Sequence, residues 1–408
     1  MIETEQLGTW CLGSERDDWK LRILLRGEHI PADCRPGPEQ SLFADLNGIT
    51  GRADVARGIM IRQEGSDGVA YAIDLAVPRG FRGSLHFMPV PTGLSTADRP
   101  TWLDALDGAF VPTRHPGLRV LRSMRGISVL EIAAPDADPL GWSVPDPARS
   151  HRPRIGSRDV EERVVTLDST PRRIWSCRPQ RAAATAPMLV VFDGRGFVDG
   201  GLLAAVDELD SPPSAVIAID HEPADADAAG SVLGGSTLPS VPRGSALPTS
   251  DPPARGLRAS DLVMNPRFCD DVLDLVASMT NDPDHAARTL VAGASYGGLA
   301  AAYFALRHPQ RFRGICLSPS FWQTDVAGRR IWHHVPESGT FPRPAFVIDY
   351  GVLEPAIADA VAEAVPEFAD RGLDIEVRSF VGGHEHLWWR ELLLVRLGEA
   401  LAEDPAPH

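Results

Sequence analysis

Ser295 stands in Gly293-Ala294-Ser295-Tyr296-Gly297, a G-x-S-x-G pattern followed by a further glycine, Gly298. A β-rich run, Thr289 to Ala292, leads into it, and an Ala/Leu-rich helical run leaves it and stops near Pro309. Strand, sharp turn and helix are the context in which this pattern carries a serine nucleophile. The residue types fit that chemistry. A serine at the tip of such a turn takes strained backbone angles, and small neighbours let strand and helix approach without clashing. The turn also aims the backbone N–H of Tyr296 and the helix start at the space above Ser295, where an oxyanion would be stabilised.

A serine needs a base to take its proton and an acid to orient that base. In α/β-hydrolases they follow in the order Ser, Asp/Glu, His, each on a loop after a strand. His384, in Val381-Gly-Gly-His-Glu-His-Leu-Trp-Trp-Arg, directly follows the last predicted strand and is the leading base. His386 competes locally, whereas His308, His333 and His334 come too early. For the acid, Glu354 lies just beyond the strand that ends near Gly351, while Asp349 lies inside that strand; Glu385, beside the base, is poorly placed. A second oxyanion N–H is expected from the loop Asp193-Gly194-Arg195-Gly196-Phe197, at Gly194 or Arg195. No P-loop, H-E-x-x-H or G-x-G-x-x-G motif occurs, so neither a metal nor a cofactor is expected.

The elements that must position these residues fall into two parts. Residues 1–150 read as an all-β sandwich. Its short runs are Trp19–Arg26, Ser41–Asn47, Ala56–Arg62, Ala70–Leu75 and Gly83–Val90, separated by Gly, Pro, Asp and Asn. No helix of useful length is expected before about residue 196, apart from a turn over Trp102–Leu106. A Pro/Arg-rich connector, 144–156, marks the boundary. In residues 151–408 strands and helices alternate, which predicts a mostly parallel sheet with helices on both faces, the α/β-hydrolase arrangement. Glu222 to Arg255, rich in Pro, Ala, Gly, Ser and Asp, reads as a flexible insertion or a lid.

The 408 residues carry a formal net charge of −15, which argues against nucleic acid and anionic membranes as partners. Lys20 is the single lysine, so an anionic ligand would have to be held by arginines. No apolar run is long enough to span a bilayer, and the acidic start of the chain does not resemble a signal peptide, so a cytoplasmic location is expected. The five cysteines show no C-x-x-C spacing and read as reduced thiols.

Beyond the elbow, Arg258-Ala-Ser-Asp-Leu-Val-Met-Asn, Gly351-Val-Leu-Glu-Pro and Gly382-Gly-His-Glu-His-Leu-Trp-Trp-Arg resemble segments of the enterochelin (ferric enterobactin) esterases. Asp45-Leu-Asn-Gly-Ile-Thr, Gly83-Ser-Leu-His-Phe-Met-Pro and Arg125-Gly-Ile-Ser-Val-Leu-Glu resemble their N-terminal domain, so the likeness spans nearly the whole chain. The resemblance implies a β-sandwich followed by an α/β-hydrolase domain. It also implies hydrolysis of the ester bonds of a catecholate trilactone siderophore, usually the ferric complex, with iron present only as part of that substrate. Carried over, Ser295 is the nucleophile, His384 the base and Glu354 the acid, and Arg258 contacts substrate or shapes the site. A ferric tris-catecholate carries about three negative charges, which suits the planar donors of arginine. Arg195, Arg258, Arg390, Arg122 and Arg125 are the candidates. The family's usual Trp after the D-G element is absent here, where Arg195-Gly196-Phe197 stands, which leaves a related siderophore open. A feruloyl or carbohydrate ester is the alternative substrate, and a non-catalytic siderophore- or glycan-binding protein the alternative class. A monomer or weak homodimer is expected.

Overall fold

The computed structural model describes residues 8–12, 18–66, 68–123, 126–137, 160–223, 256–279, 289–337, 341 and 344–403. The connector 144–156, Arg125 and all but the first two residues of the 222–255 segment lie outside these. By internal contacts the chain forms two compact units. The first comprises Met1–Arg149 together with two excursions from the second half of the chain, Val352–Glu354 and Val381–Trp388.

In the first unit, β1 (Gly8–Leu12), β2 (Trp19–Arg26), β3 (Gln40–Leu46), β4 (Ile61–Gly65), β5 (Gly68–Val77), β6 (Arg82–Pro91), β7 (Val120–Arg122) and β8 (Ser128–Ala133) build two antiparallel four-stranded sheets. Their orders are β1-β2-β5-β4 and β3-β6-β8-β7. The alternation in β2 shows why they stack. Leu21, Ile23 and Leu25 are buried, and join Leu42, Ala44 and Leu46 of β3, Leu85 and Phe87 of β6, and Leu130 and Ile132 of β8 in one core. This is the sandwich expected of an alternating, turn-punctuated sequence.

Two local expectations fail. Over Ala56–Arg62 the chain first makes a 3-10 turn, Val55–Gly58, because the Asp54 side chain accepts from the Arg57 N–H; β4 starts only at Ile61. A Cβ at Gly58 would lie 2.3 Å from the Phe43 ring, so the glycine serves packing there. The turn expected near Trp102 is a nine-residue helix, α1 (Arg99–Asp107). Asp98 caps it by accepting from the Thr101 N–H, and Pro100 pre-sets its first turn. Its weak apolar period hid it, since Trp102 is its one buried side chain.

The second unit holds one eight-stranded sheet in the order β16-β15-β14-β13-β11-β12-β10-β9. In chain order its elements are β9 (Glu161–Leu167), β10 (Thr170–Cys177), β11 (Leu189–Phe192), α2 (Gly194–Asp199), α3 (Leu202–Asp207), β12 (Val216–Pro223), α4 (Leu257–Leu262), α5 (Pro266–Ser278), β13 (Thr289–Ala294), α6 (Tyr296–Arg307), β14 (Phe312–Leu317), β15 (Phe346–Gly351), α7 (Pro355–Asp370), β16 (Glu376–Phe380) and α8 (His386–Glu403). Strands β11 to β16 run parallel, while β10 pairs antiparallel with both β9 and β12. This is an α/β-hydrolase sheet. β11 and β13 are buried along their whole length, as strands covered on both faces must be. Helix α6 is buried from Gly297 to Leu306 and approaches the sheet closely at Gly298 and Ala301: a Cβ at Gly298 would lie 2.9 Å from the Leu317 carbonyl oxygen, and one at Gly314 3.0 Å from the Ala301 carbonyl oxygen. Among the described residues, no helix is long and apolar enough to cross a membrane.

Candidate active site

Ser295 sits between β13 and α6 with φ 60° and ψ −113°, a conformation a non-glycine residue rarely adopts. Local structure holds it there. Its N–H donates to the Leu317 carbonyl (2.9 Å), and its own carbonyl accepts from the N–H groups of Leu299 and Ser320, both at 3.1 Å. The flanking glycines are required by contact. A Cβ at Gly293 would lie 2.7 Å from the Gly297 backbone, and one at Gly298 would lie 2.9 Å from the Leu317 carbonyl oxygen. Strand and helix cross too closely for any larger residue, as the motif implies. As the first residue of α6, Tyr296 has an N–H with no acceptor inside the helix, the donor an oxyanion requires. The Ser295 and Ser320 hydroxyl oxygens stand 3.1 Å apart. Ser320 escaped sequence reasoning. Its only signal is Ser318-Pro319-Ser320 directly after a buried strand, β14.

The segment after β11 is not an open loop. Asp193 takes a left-handed conformation (φ 56°, ψ 43°) and the chain enters α2 at once. Gly194 and Arg195 therefore present first-turn N–H groups with no acceptor within that helix. Packing requires glycine at 194. A Cβ there would lie 2.6 Å from the backbone of Ala218 and Ile219, so the glycine accommodates β12. The Arg195 side chain is 26% exposed and lies 3.9 Å from Asp199.

Arg258, on α4, ties these parts together. Its Nη2 donates to Asp193 Oδ2 (2.7 Å) and also reaches the Ala294 carbonyl, while Nε donates to Asp193 Oδ1. Its guanidinium lies 5.1 Å from the centre of the Tyr296 ring. One side chain thus links the αL residue before α2 to both neighbours of Ser295. Burial opposes ionisation of Asp193, but the Arg258 charge and hydrogen bonds outweigh it and hold the carboxyl below its usual range. The short α4 is itself anchored through Asp261. That carboxylate accepts from Arg172 Nε and Nη2 at 2.8 and 2.7 Å and pairs with His221 Nδ1 at 2.8 Å. Of the two roles expected for Arg258, the geometry realises shaping of the elbow.

In the first unit, Glu354 Oε1 and His384 Nδ1 form a short hydrogen bond. Glu354 is 2% exposed. Its position follows from Pro355, which opens α7 and cannot extend a strand, and from the Leu353 N–H donating to the Gly382 carbonyl at 3.2 Å. Gly382 and Gly383 are required by contact. Neither glycine has a positive φ; instead a Cβ at Gly382 would overlap the Trp388 indole (1.9 Å), and one at Gly383 the Asn47 side chain (2.2 Å). His386, the rival base, is buried as the first residue of α8.

Asp349, the rival acid, is committed elsewhere. Arg396 takes both of its oxygens inside the second unit, and burial pushes the carboxyl up despite that partner. Arg390 does not meet its expectation of touching substrate. It is 3% exposed, donating to the Gly200 carbonyl (2.9 Å) and to Glu391 (2.6 Å), a buried pair that fixes α8 against the end of α2. Arg122 is spent on the Gly126 carbonyl at 2.6 Å. Sequence reasoning named Asp193 only as part of the oxyanion loop and weighed Glu385 only as a poorly placed acid; the partners that give them their roles stand 65 and 301 positions away.

A strained serine between a buried strand and a helix, in a mostly parallel sheet, defines the α/β-hydrolase class. Residues 269–400 match the esterase family model. Across the longer chain, similarity runs to iron(III) enterobactin esterases. That of Escherichia coli K12 is 26% identical over 79% of this chain and 78% of its own length, and that of Dickeya dadantii 24% over 95% and 89%. Among solved structures, the Salmonella typhimurium ferric enterobactin esterase matches with a TM-score of 0.66 at 20% identity, over 98% of each chain. The Shigella flexneri enterobactin esterase, solved in the presence of 2,3-dihydroxy-N-benzoyl-serine, matches at 0.65 and 20%, over 98% of this chain and 97% of that one. The structures establish the shared fold. The resemblance to the enterochelin esterases is borne out.

Proposed function

We propose that this protein is a serine esterase that opens the ester bonds of a catecholate trilactone siderophore, with Ser295, His384 and Glu354 as nucleophile, base and acid. The observation that carries the reaction class is the strained conformation of Ser295. Such a conformation costs about 1–3 kcal/mol and persists only where surrounding structure enforces it, here for a hydroxyl at a helix N-terminus. The substrate class rests on the named activity of the relatives, which match the chain over both of its units.

In this reading His384 Nε2 takes the Ser295 proton as Oγ attacks the ester carbonyl. The N–H of Tyr296, with that of Gly194 or Arg195, receives the oxyanion. Collapse breaks the C–O bond, and the leaving alkoxide takes the proton back from His384. Water, deprotonated by the same histidine, then releases the acyl group and restores the serine. Glu354 accepts from Nδ1–H throughout, which holds the productive tautomer and stabilises the imidazolium. In this reading Arg195, 26% exposed in the first turn of α2 beside Gly194, is the arginine that meets catecholate oxygens.

The test is a mass-spectrometric time course on ferric and iron-free trilactones with wild type and Ser295→Ala. Ring-opened and monomeric products should form with wild type alone, and the serine variant should lose roughly three orders of magnitude or more in rate while keeping its fold. Intact trilactone with the wild-type protein would sink the proposal.

A further inference from the structure

The mechanism makes no use of Glu385, the residue after the proposed base, although its carboxyl is 7% exposed. Both oxygens of that carboxyl receive the N–H of Ser84, at 3.1 and 3.0 Å. The reason lies in the sheet. Strand β6 runs past the end of its partner β3, whose last paired residue, Leu46, faces Leu85. Beyond that pair the Asn47 N–H still donates to the Ser84 carbonyl (2.9 Å), but the Arg82 and Ser84 N–H groups on that side are taken by the segment after β16. The Arg82 N–H donates to the Val381 carbonyl (3.0 Å), the Trp388 indole N–H to the Arg82 carbonyl (2.8 Å), and the Ser84 N–H to Glu385. Asn47, where the chain leaves β3, adds a long contact from its side-chain amide to the His384 carbonyl at 3.5 Å.

We propose that Glu385 is a positioning residue for His384, its side chain docking the base-bearing segment onto the edge of β6, so that the N-terminal sandwich sets where the imidazole stands. The charge state suits a permanent clamp. Burial, reinforced by the nearby Asp45 and Glu354 carboxyls, pushes Glu385 up to about 8 against the hydrogen bonds of Ser84. The group is therefore held mostly neutral near pH 7 and still accepts from Ser84. A neutral amide of the same shape can do the same; an alanine cannot, and it leaves the Ser84 N–H buried without its acceptor.

This inference rests on His384 being the base that activates Ser295. The test compares wild type, Glu385→Gln, Glu385→Ala and Asn47→Ala for labelling rate by a fluorophosphonate, for kcat and KM on a p-nitrophenyl ester, and for melting midpoint. Expected are a loss of about 10- to 100-fold in labelling and kcat for Glu385→Ala with KM nearly unchanged, and rescue to within about threefold by Glu385→Gln. Asn47→Ala should lower kcat severalfold, and it decides the matter if Glu385→Ala does not fold. If wild type is not labelled, the reading of Ser295 as an activated nucleophile fails. If wild type is labelled but folded Glu385→Ala and Asn47→Ala react at its rate, or Glu385→Gln loses as much as Glu385→Ala, the positioning role is overturned.

Discussion

Replacing Gly383 by alanine tests how tightly the base must be held. The added Cβ would lie 2.2 Å from Asn47 Oδ1 and 2.9 Å from the backbone N and Cα of Gly48. The first overlap can be relieved, because an amide side chain can swing. The second cannot, because both sides are backbone, and Gly48 already occupies a left-handed turn (φ 81°) that Leu353 and Gly383 press against. Ordinary contact starts near 3.4 Å, so the loop must retreat by about 0.5 Å in a region packed to crystal density. A shift of that size moves the neighbouring imidazole relative to Glu354 by a comparable amount, and about 1 Å of misplacement can cost a hundredfold in rate. The expected outcome is a fall in kcat of about 10- to 50-fold with KM within a factor of two, together with about 1–3 kcal/mol of destabilisation from overpacking. Steady-state kinetics on a p-nitrophenyl ester and urea unfolding read the two effects separately. A folded Gly383→Ala protein with kcat within threefold of wild type would show that the placement of this loop is not what limits the base.

Glu354→Gln should lose at least about a hundredfold in kcat with little change in stability, because a glutamine no longer offers a carboxylate to the imidazolium. Asp349→Asn should instead destabilise by about 1.5–3 kcal/mol, since Arg396 loses the carboxylate that takes its Nε and Nη2 and keeps Glu399 on Nη1 (2.7 Å), while activity per folded molecule holds; the opposite assignment of losses would make Asp349 the acid. Stability should also fall between pH 6.5 and 8. Burial pushes Asp45 up to about 7 and Glu385 to about 8, so the native state keeps protons that the unfolded chain has already released, and each such group costs up to about 1.4 kcal/mol per pH unit until its folded pKa is passed. His86, lowered to about 4 by burial, acts oppositely, because below 6.5 the unfolded chain binds a proton that the native state refuses. Its contribution therefore rises with pH and ends near 6.5, leaving the acids unopposed above that point. Urea midpoints that stay flat or climb from pH 6.5 to 8 would contradict these burial-driven shifts, and Glu385→Gln should flatten part of the decline.

How much of this was legible depended on whether the cause lay along the chain or across it. The elbow was readable because each requirement is local: a β-rich run, small residues where strand and helix cross, and a helix beyond. Glu354 and His384 could be named from their positions after two strands, with Asp349 and His386 as rivals, but their contact also depends on residues far along the chain. Arg390 and Asp349 show the limit. An arginine two residues past a tryptophan and an aspartate within a strand have side chains whose facing the sequence does not determine, and both face inward to buried partners. Arg258 was singled out by resemblance, but its role depends on Asp193, which is 65 positions away and in a conformation no local signal announces.

The glycines beside the base carry the sharper physical point. Gly382-Gly383 suggests conformational freedom, since glycine alone enters left-handed turns cheaply. The structure uses the other property of glycine, the missing side chain. Those two uses give one letter in the sequence and opposite consequences for engineering. A glycine kept for its φ is harmed by any L-residue regardless of space, whereas one kept for contact is harmed in proportion to the overlap, and the harm depends on what it overlaps. At Gly383 the neighbours are Asn47 and Gly48, at the end of β3 in the first half of the chain. The geometry of the proposed base is therefore written partly in residues 45–48 and 82–84, far from the motif that contains it, and a histidine motif transplanted without those residues would keep its letters while losing its support.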